Sequence, residues 1–249
     1  MEEMNMKKKI CILMAIIVVM GMVAACGNKD DNVMIMGTNA EFPPYEFYEG
    51  EKIVGIDAEF AEAIAEKLGM KVKIEDMAFD AIIPAVQSGK VTFGAAGMTV
   101  TEDRKKEVDF TDTYYTGKQV IIVQDDNTEI NGPDDLAGKK IGVQQGTTGD
   151  LYATDDYGDE SIERFTKGME AVQSLSQGKI DAVIIDDQPA QAFLEQNEGL
   201  KILETEYVIE DYAMCFKKGN EELLEKVNAA IKELKEDGTF DKIVNKYIK

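Results

Sequence analysis

Short apolar runs alternate with amphipathic segments along most of this chain, and no other feature limits its fold as strongly. The first apolar run spans residues 33–37, and Phe60, Ile64 and Leu68 then recur at a helical spacing. That spacing places the three side chains on one helix face, whereas a short apolar run between polar flanks is typical of a buried strand. Strands and helices in alternation predict an α/β fold with a parallel sheet.

The alternation occurs in two blocks, which predicts two lobes. In the first block we predict strands at residues 33–37, 71–75 and 92–96, and helices at 57–68 (with Asp57 as its N-cap) and 79–87. In the second we predict strands at 120–123, 141–143, 182–185, 200–203 and 212–216, and helices at 169–177, 188–195, 221–235 and 240–247.

Residues 1–25 are typical of a lipoprotein signal peptide. The lysines at 7–9 precede an apolar run at residues 10–23, which is too short to span a bilayer comfortably. The run ends in Val-Ala-Ala-Cys26, which resembles a bacterial lipobox; an ordinary signal peptide with a chance cysteine is the alternative. We predict acylation of Cys26, a polar tether at 26–32, and an exported protein anchored by lipid to the outer face of the cytoplasmic membrane, at the cell surface or in the periplasm.

Charge and missing residue types exclude several functions. Asp and Glu number 48 against 27 Lys and Arg, and the formal net charge of -21 disfavours a nucleic-acid partner. With no His, every His-based triad, His general base and His metal site is excluded. We predict no catalytic residue, metal or cofactor. Cys11 leaves with the signal peptide and Cys26 is acylated. Only Cys215 remains, in an apolar run where an inert, buried thiol is expected.

Polar and aromatic residues follow the first and third predicted strands. Ligands of open α/β sheets bind beyond the carboxyl ends of strands, which suits the loop that contains Phe42; packing of Phe42 on its own domain is the alternative. Gly97 permits a close backbone approach, Thr99 offers a hydroxyl, and Arg104 can grip a carboxylate with two parallel bonds. From spacing alone, Arg104 also fits a surface ion pair near a helix start.

Two more candidates lie in the second block. Gln144, Thr147 and Thr148 belong to a strand-to-helix turn whose free amides suit an anion, although the glycine spacing matches neither a Walker loop nor a dinucleotide fingerprint. A plain turn is the alternative. Asp186 ends a strand, where its carboxylate either binds an ammonium group or caps the next helix.

In this order and spacing, the motifs resemble family 3 of the extracellular solute-binding proteins, the polar amino-acid receptors of ABC importers. The resemblance covers nearly the whole chain after the tether. The matching stretches are residues 37–47, 82–89, 96–106, 109–115, 146–149 and 181–184.

The resemblance implies a two-lobe α/β fold of the type II periplasmic-binding-protein kind, with two crossover strands between the lobes. Residues 33–114 plus 213–249 would form lobe 1, residues 119–208 lobe 2, and residues 115–118 with 209–212 the hinge. The ligand-binding residues it implies are Asn39, Glu41, Phe42, Phe79, Ala96, Gly97, Thr99, Arg104, Gln144, Thr147, Thr148 and Asp186.

Within that set, the resemblance assigns the α-carboxylate of an amino acid to Arg104, helped by Thr99 and by Thr147 or Thr148. It assigns the α-ammonium to Asp186, with Gly97 and Thr99 opposite. Phe42 and Phe79 would form walls around the side chain.

The implied function is capture of a polar amino acid for delivery to an ABC permease, by a monomer without enzymatic activity. A ligand-sensing receptor module and a dehydratase of the same fold are the alternatives. Asn39, Gln144 and Ile185 replace the Asp, Lys and His of the glutamine-specific branch, which puts glutamine in doubt. Because the expected residues offer no second cation and include Glu41, we predict neutral polar or basic amino acids, basic ones slightly favoured, and rejection of aspartate and glutamate.

Overall fold

Strands and helices alternate through residues 32–248, the part of the chain that the computed structural model describes. The predicted signal peptide, Cys26 and the tether up to residue 31 lie outside it. The strands are β1 (Val33–Thr38), β2 (Glu41–Phe42), β3 (Glu46–Glu49), β4 (Lys52–Val54), β5 (Lys71–Asp76), β6 (Phe93–Gly94), β7 (Val108–Phe110), β8 (Tyr115–Gln124), β9 (Ile141–Gln144), β10 (Ile162–Phe165), β11 (Ala182–Asp186), β12 (Leu200–Tyr212) and β13 (Cys215–Lys217). The helices are α1 (Ile56–Lys67), α2 (Phe79–Ser88), α3 (Glu102–Glu107), α4 (Thr148–Tyr157), α5 (Gly168–Ser176), α6 (Asp187–Leu194), α7 (Glu221–Glu236) and α8 (Thr239–Tyr247).

Two five-stranded sheets organise the chain. The first has the order β5-β1-β6-β13-β7 and the second β10-β9-β11-β8-β12, while β2, β3 and β4 form a small antiparallel sheet. We call the part built on the first and small sheets lobe 1 and the part built on the second sheet lobe 2. Both large sheets are mixed rather than wholly parallel as predicted, because β13 and β8 each pair antiparallel with their neighbours.

Those antiparallel strands arise where the chain passes between the lobes. It leaves the first sheet after β7, enters the second at β8, and returns through β12 into β13. Along the passage β8 and β12 pair with each other, Tyr115 opposite Tyr212 and Gly117 opposite Glu210. The predicted hinge segments, 115–118 and 209–212, lie in this paired stretch. Their role as a hinge and the predicted lobe boundaries remain predictions.

Tertiary contacts overturn two local predictions. The strand predicted at 212–216 is interrupted, because β12 ends at Tyr212, the Ala213 N–H donates to the Met98 carbonyl at 3.0 Å, and β13 begins only at Cys215. Asp57 is not an N-cap. Helix α1 is preceded by Gly55, at φ 124°, and the Asp57 side chain is fully buried in the first turn.

Helix α1 confirms the periodicity argument. Phe60 and Ile64 are buried, and α1 packs on β5 and on both C-terminal helices. None of the helices within residues 32–248 combines the length and the apolarity that crossing a bilayer requires.

Candidate ligand-binding site

A small cavity lies between the two lobes, with a solvent-accessible volume of about 10 Å³. Lobe 1 and lobe 2 both contribute to its walls. The lining residues are Asn39, Phe42, Glu46, Phe79, Ala96, Gly97, Thr99, Arg104, Gln144, Thr147, Thr148 and Asp186. Every position expected from the sequence is therefore present except Glu41, and Glu46 is an addition.

Arg104 lies in the first turn of α3, where Thr101 accepts a hydrogen bond from its backbone N–H. Its side chain is buried and not in a surface ion pair. One guanidinium nitrogen donates to the Thr99 carbonyl at 2.8 Å, and another to the Gly146 carbonyl of lobe 2 at 3.1 Å. The guanidinium lies 5.3 Å from the centre of the Phe79 ring. Burial lowers the pKa of Arg104, but an arginine keeps its charge and still has donors for a carboxylate.

Asp186 ends β11 and occupies the N-cap position of α6, yet its side chain makes no capping hydrogen bond. It accepts instead from the Gln119 amide at 2.7 Å and from the Tyr212 hydroxyl. Burial, and then the charge of Glu210, raise the pKa of Asp186 above its ordinary range. A cation in the cavity would stabilise the carboxylate form, so this position suits an ammonium group.

The segment at Gly97 is held in a conformation that only glycine adopts easily. Gly97 has a φ of +52°, and a Cβ there would lie 3.1 Å from the Phe42 ring. Its N–H donates to the Asp57 carboxylate at 2.8 Å, and the same carboxylate accepts from the Tyr114 hydroxyl. Burial raises the pKa of Asp57 to about 6, against the opposing effect of these hydrogen bonds. Buried Asp57 thus positions the backbone at the cavity wall.

Direct contacts join the lobes at the cavity. The side-chain amide of Gln144 donates to the side-chain oxygen Oδ1 of Asn39 across the lobes at 2.9 Å. The hydroxyl oxygens of Thr148 and Thr99 lie 3.5 Å apart. Thr147 is the N-cap of α4, and its hydroxyl donates to the Gln144 carbonyl at 2.8 Å. The structure is therefore a closed arrangement of the two lobes.

Glu46 is the lining residue that the sequence analysis missed. It lies on β3 with no exposed surface, next to the Asp57 carboxyl group, and neither of its carboxyl oxygens accepts from an N–H or a cationic group among the described residues. Burial, and then the charge of Asp57, raise the pKa of Glu46 well above its usual range. The available signal was an acidic residue between the aromatic residues Tyr45 and Phe47. Such a residue needs a reason to be buried.

Glu41, which was expected to contact ligand, does not line the cavity. Its carboxylate forms an ion pair with Lys167 of lobe 2 at the rim. Glu41 was expected to lie beside a basic ligand side chain, but its carboxylate is paired with Lys167 instead. Glu46 supplies a carboxyl group inside the cavity.

Comparison with known proteins gives consistent results across sequence and structure. The model of the bacterial extracellular solute-binding proteins, family 3, matches residues 34–249. The arginine-binding extracellular protein ArtP of Bacillus subtilis strain 168 is 34% identical over 97% of this chain and 98% of its own length.

The solved structures give the same result. An ancestral arginine-binding protein bound to arginine is 45% identical, with a TM-score of 0.84 over 88% of this chain and 99% of that one. An ancestral arginine-binding protein bound to glutamine is also 45% identical, with a TM-score of 0.82 over 87% and 98% of the respective chains. With its two lobes, crossing strands and shared cavity, this chain belongs to family 3 of the bacterial extracellular solute-binding proteins.

Proposed function

We propose that this protein captures a basic amino acid, arginine in particular, and presents it to the permease of an ABC importer. It is a binding protein and not an enzyme, and it encloses a polar amino acid between its lobes. The finer assignment, the basic side chain, is supported by one observation above all: the wholly buried carboxyl group of Glu46 lines the cavity beside the Asp57 carboxyl group and has no N–H or cationic partner among the described residues.

The charged groups of the cavity complement a basic amino acid. Arg104 supplies one positive charge, while Glu46 and Asp186 supply two carboxyl groups. An amino acid with a cationic side chain carries one carboxylate and two cations, so each of its charges would have a buried partner. Pairing is required because an unpaired buried charge is costly. When a cation approaches Glu46, its favourable charge opposes the burial that raises the pKa of the carboxyl group.

Acidic amino acids do not match the charged groups of the cavity. Aspartate or glutamate would bring a second carboxylate, and Arg104 is the cationic residue among those lining the cavity. A neutral polar side chain remains compatible, since the Asn39 and Gln144 amides lie at the wall. The related ancestral proteins were solved bound to arginine and to glutamine, so a basic and a neutral polar amino acid are both supported as ligand classes.

A thermal-shift screen of the twenty amino acids, followed by calorimetry, tests the proposal. A ligand at 100 times its dissociation constant adds about 2.7 kcal/mol of stability, which is readily measured. We expect arginine to give the largest shift and glutamate none. In Glu46→Gln, arginine affinity should fall about 30-fold or more because a buried charge pair is lost, whereas glutamine affinity should change less than about threefold.

Glu49→Gln is the matched control, because Glu49 lies on the same strand but is exposed. It should bind arginine like the unmodified protein. Glutamate binding more tightly than arginine, or equal losses for arginine and glutamine in Glu46→Gln, would show that Glu46 does not select the side chain.

We further propose that the protein acts as a monomer held at the outer face of the cytoplasmic membrane by lipid on Cys26. Support comes from the sequence, in which a positive segment, an apolar run and Val-Ala-Ala-Cys26 follow one another. Two acyl chains at such a cysteine suffice for stable membrane attachment.

A further inference from the structure

We propose that the ion pair between Glu41 and Lys167 is a latch that holds the two lobes closed and so sets how tightly any amino acid is retained. Glu41 lies on β2 of lobe 1, and Lys167 is the N-cap residue of α5 in lobe 2. The latch acts on the closed state of the lobes and is separate from the proposed choice of ligand.

The pair is distinct from the ligand-contacting wall. Neither residue is among those lining the cavity. Their side chains are 30% and 43% exposed, so the pair lies at the rim, within reach of solvent and salt. A change at either residue therefore alters lobe contact without removing a group that touches the amino acid.

Among the ion pairs formed by residues 32–248, this one alone has its partners on different lobes. Each of the others has both partners in lobe 1 or both in lobe 2. Pairs of the first kind join Lys67 to Glu233 and Lys246 to Glu59, and pairs of the second kind join Arg164 to Asp150 and Lys118 to Glu206. Opening the lobes would separate Glu41 from Lys167 and leave those other pairs unbroken.

Neighbouring contacts position the latch. Two residues before Glu41, Asn39 accepts from Gln144, and the Gln144 amide also donates to the carbonyl of Thr166, beside Lys167. The segments that carry the ion pair thus already approach each other through uncharged groups. Lys167 also lies in the field of Asp76 in lobe 1, which adds to its attraction toward that lobe.

A double-mutant cycle tests the latch. Glu41→Gln, Lys167→Gln and the double variant are titrated by calorimetry with arginine and, separately, with glutamine, in 20 mM and 500 mM NaCl. At low salt each single variant should bind both amino acids about two- to fivefold more weakly, the range for a partly exposed ion pair. The double variant should be no weaker than either single variant. In 500 mM NaCl the differences should shrink, since the Debye length falls to about 4 Å.

Glu129→Gln is the control, because its partner Lys139 lies on the same lobe. It should leave both affinities and their salt dependence unchanged. Additive losses in the double variant, unaltered affinities in the single variants, or differences that persist at high salt would each overturn the latch. Using two ligands separates this inference from the proposed function: failure to bind arginine refutes the latter, while glutamine still tests the latch.

Discussion

At the scale of single residues, the candidate site pairs opposite charges with few side chains. Arg104 of lobe 1 and Asp186 of lobe 2 face a common cavity, each held by hydrogen bonds to its neighbours. Glu46 provides a third ionisable group at the wall. A zwitterion leaving water needs partners for both of its charges, and these residues are of the right type to supply them.

Replacing Arg104 tests whether this residue pairs with the ligand carboxylate. In Arg104→Ala the ligand carboxylate would lose its cation, and truncation of one member of a buried charge pair costs about 2–5 kcal/mol, which corresponds to an affinity about 30- to 5,000-fold weaker. Calorimetry with arginine measures the change. Lys105→Ala on the same helix, where Lys105 pairs with Glu102 at the surface, is the control. An Arg104→Ala affinity within about threefold of the control would place the carboxylate elsewhere.

At the scale of elements, Asp57 connects three segments through one carboxylate. It projects from the first turn of α1, accepts from the N–H of Gly97 after β6, and accepts from the hydroxyl of Tyr114 before β8. The resulting arrangement holds the backbone that lines the cavity. Asp57 therefore positions a wall of the cavity rather than contacting ligand.

Because burial raises the pKa of Asp57, the free energy of unfolding should depend on pH. Burial raises its pKa to about 6 in the folded protein, whereas an unfolded Asp titrates near pH 3.9. Between about pH 4 and pH 6 the folded state therefore binds more protons than the unfolded state, and the free energy of unfolding falls as the pH rises. Asp57→Asn should remove this contribution, which is on the order of 3 kcal/mol across the window.

Urea unfolding of both proteins from pH 4 to pH 8 measures the effect. The stability of the unmodified protein relative to Asp57→Asn should fall up to about pH 6, the pKa of Asp57 in the folded protein, and stay level above pH 7. Stability curves that run parallel over the whole range would mean that Asp57 does not carry the protonation change.

At the scale of the whole molecule, two lobes share one cavity and are joined by the paired strands β8 and β12. Contacts of Gln144 with Asn39 and of Lys167 with Glu41 cross between the lobes beside the cavity. Rigid-body closure around a ligand is a common use of such an arrangement. We propose that Cys26 keeps the protein at the membrane, where the permease receives the amino acid.

Cys26→Ser tests that anchoring. In a bacterial host the variant should appear in the soluble fraction or stay as an unprocessed precursor, because it cannot be acylated at that position. Fractionation and intact-mass analysis measure the outcome, and Cys215→Ser is the control because Cys215 is a buried thiol. An unmodified Cys26 in the mature protein, or a mature N-terminus at another residue, would contradict the anchor.

The α/β class, the α1 stripe and candidate positions for the site could be predicted from the amino-acid sequence. The class and the stripe follow from local periodicity. The rule that ligands bind at strand ends made positions such as Gly97 and Asp186 candidates, and the family resemblance implied the full set. The family resemblance added Arg104 as the carboxylate ligand. That role is a prediction, and its test is the Arg104→Ala titration.

The partners and roles of several acidic residues became clear only in the folded chain. Asp57 resembled an N-cap, but its partners Gly97 and Tyr114 lie 40 and 57 positions away. Glu41 and Lys167 are 126 positions apart. A carboxylate in a sequence has no visible partner, because burial and pairing depend on which distant segments fold against it. For that reason the sequence predicted where the site lies, while the folded chain determined which acid faces the cavity and which one joins the lobes.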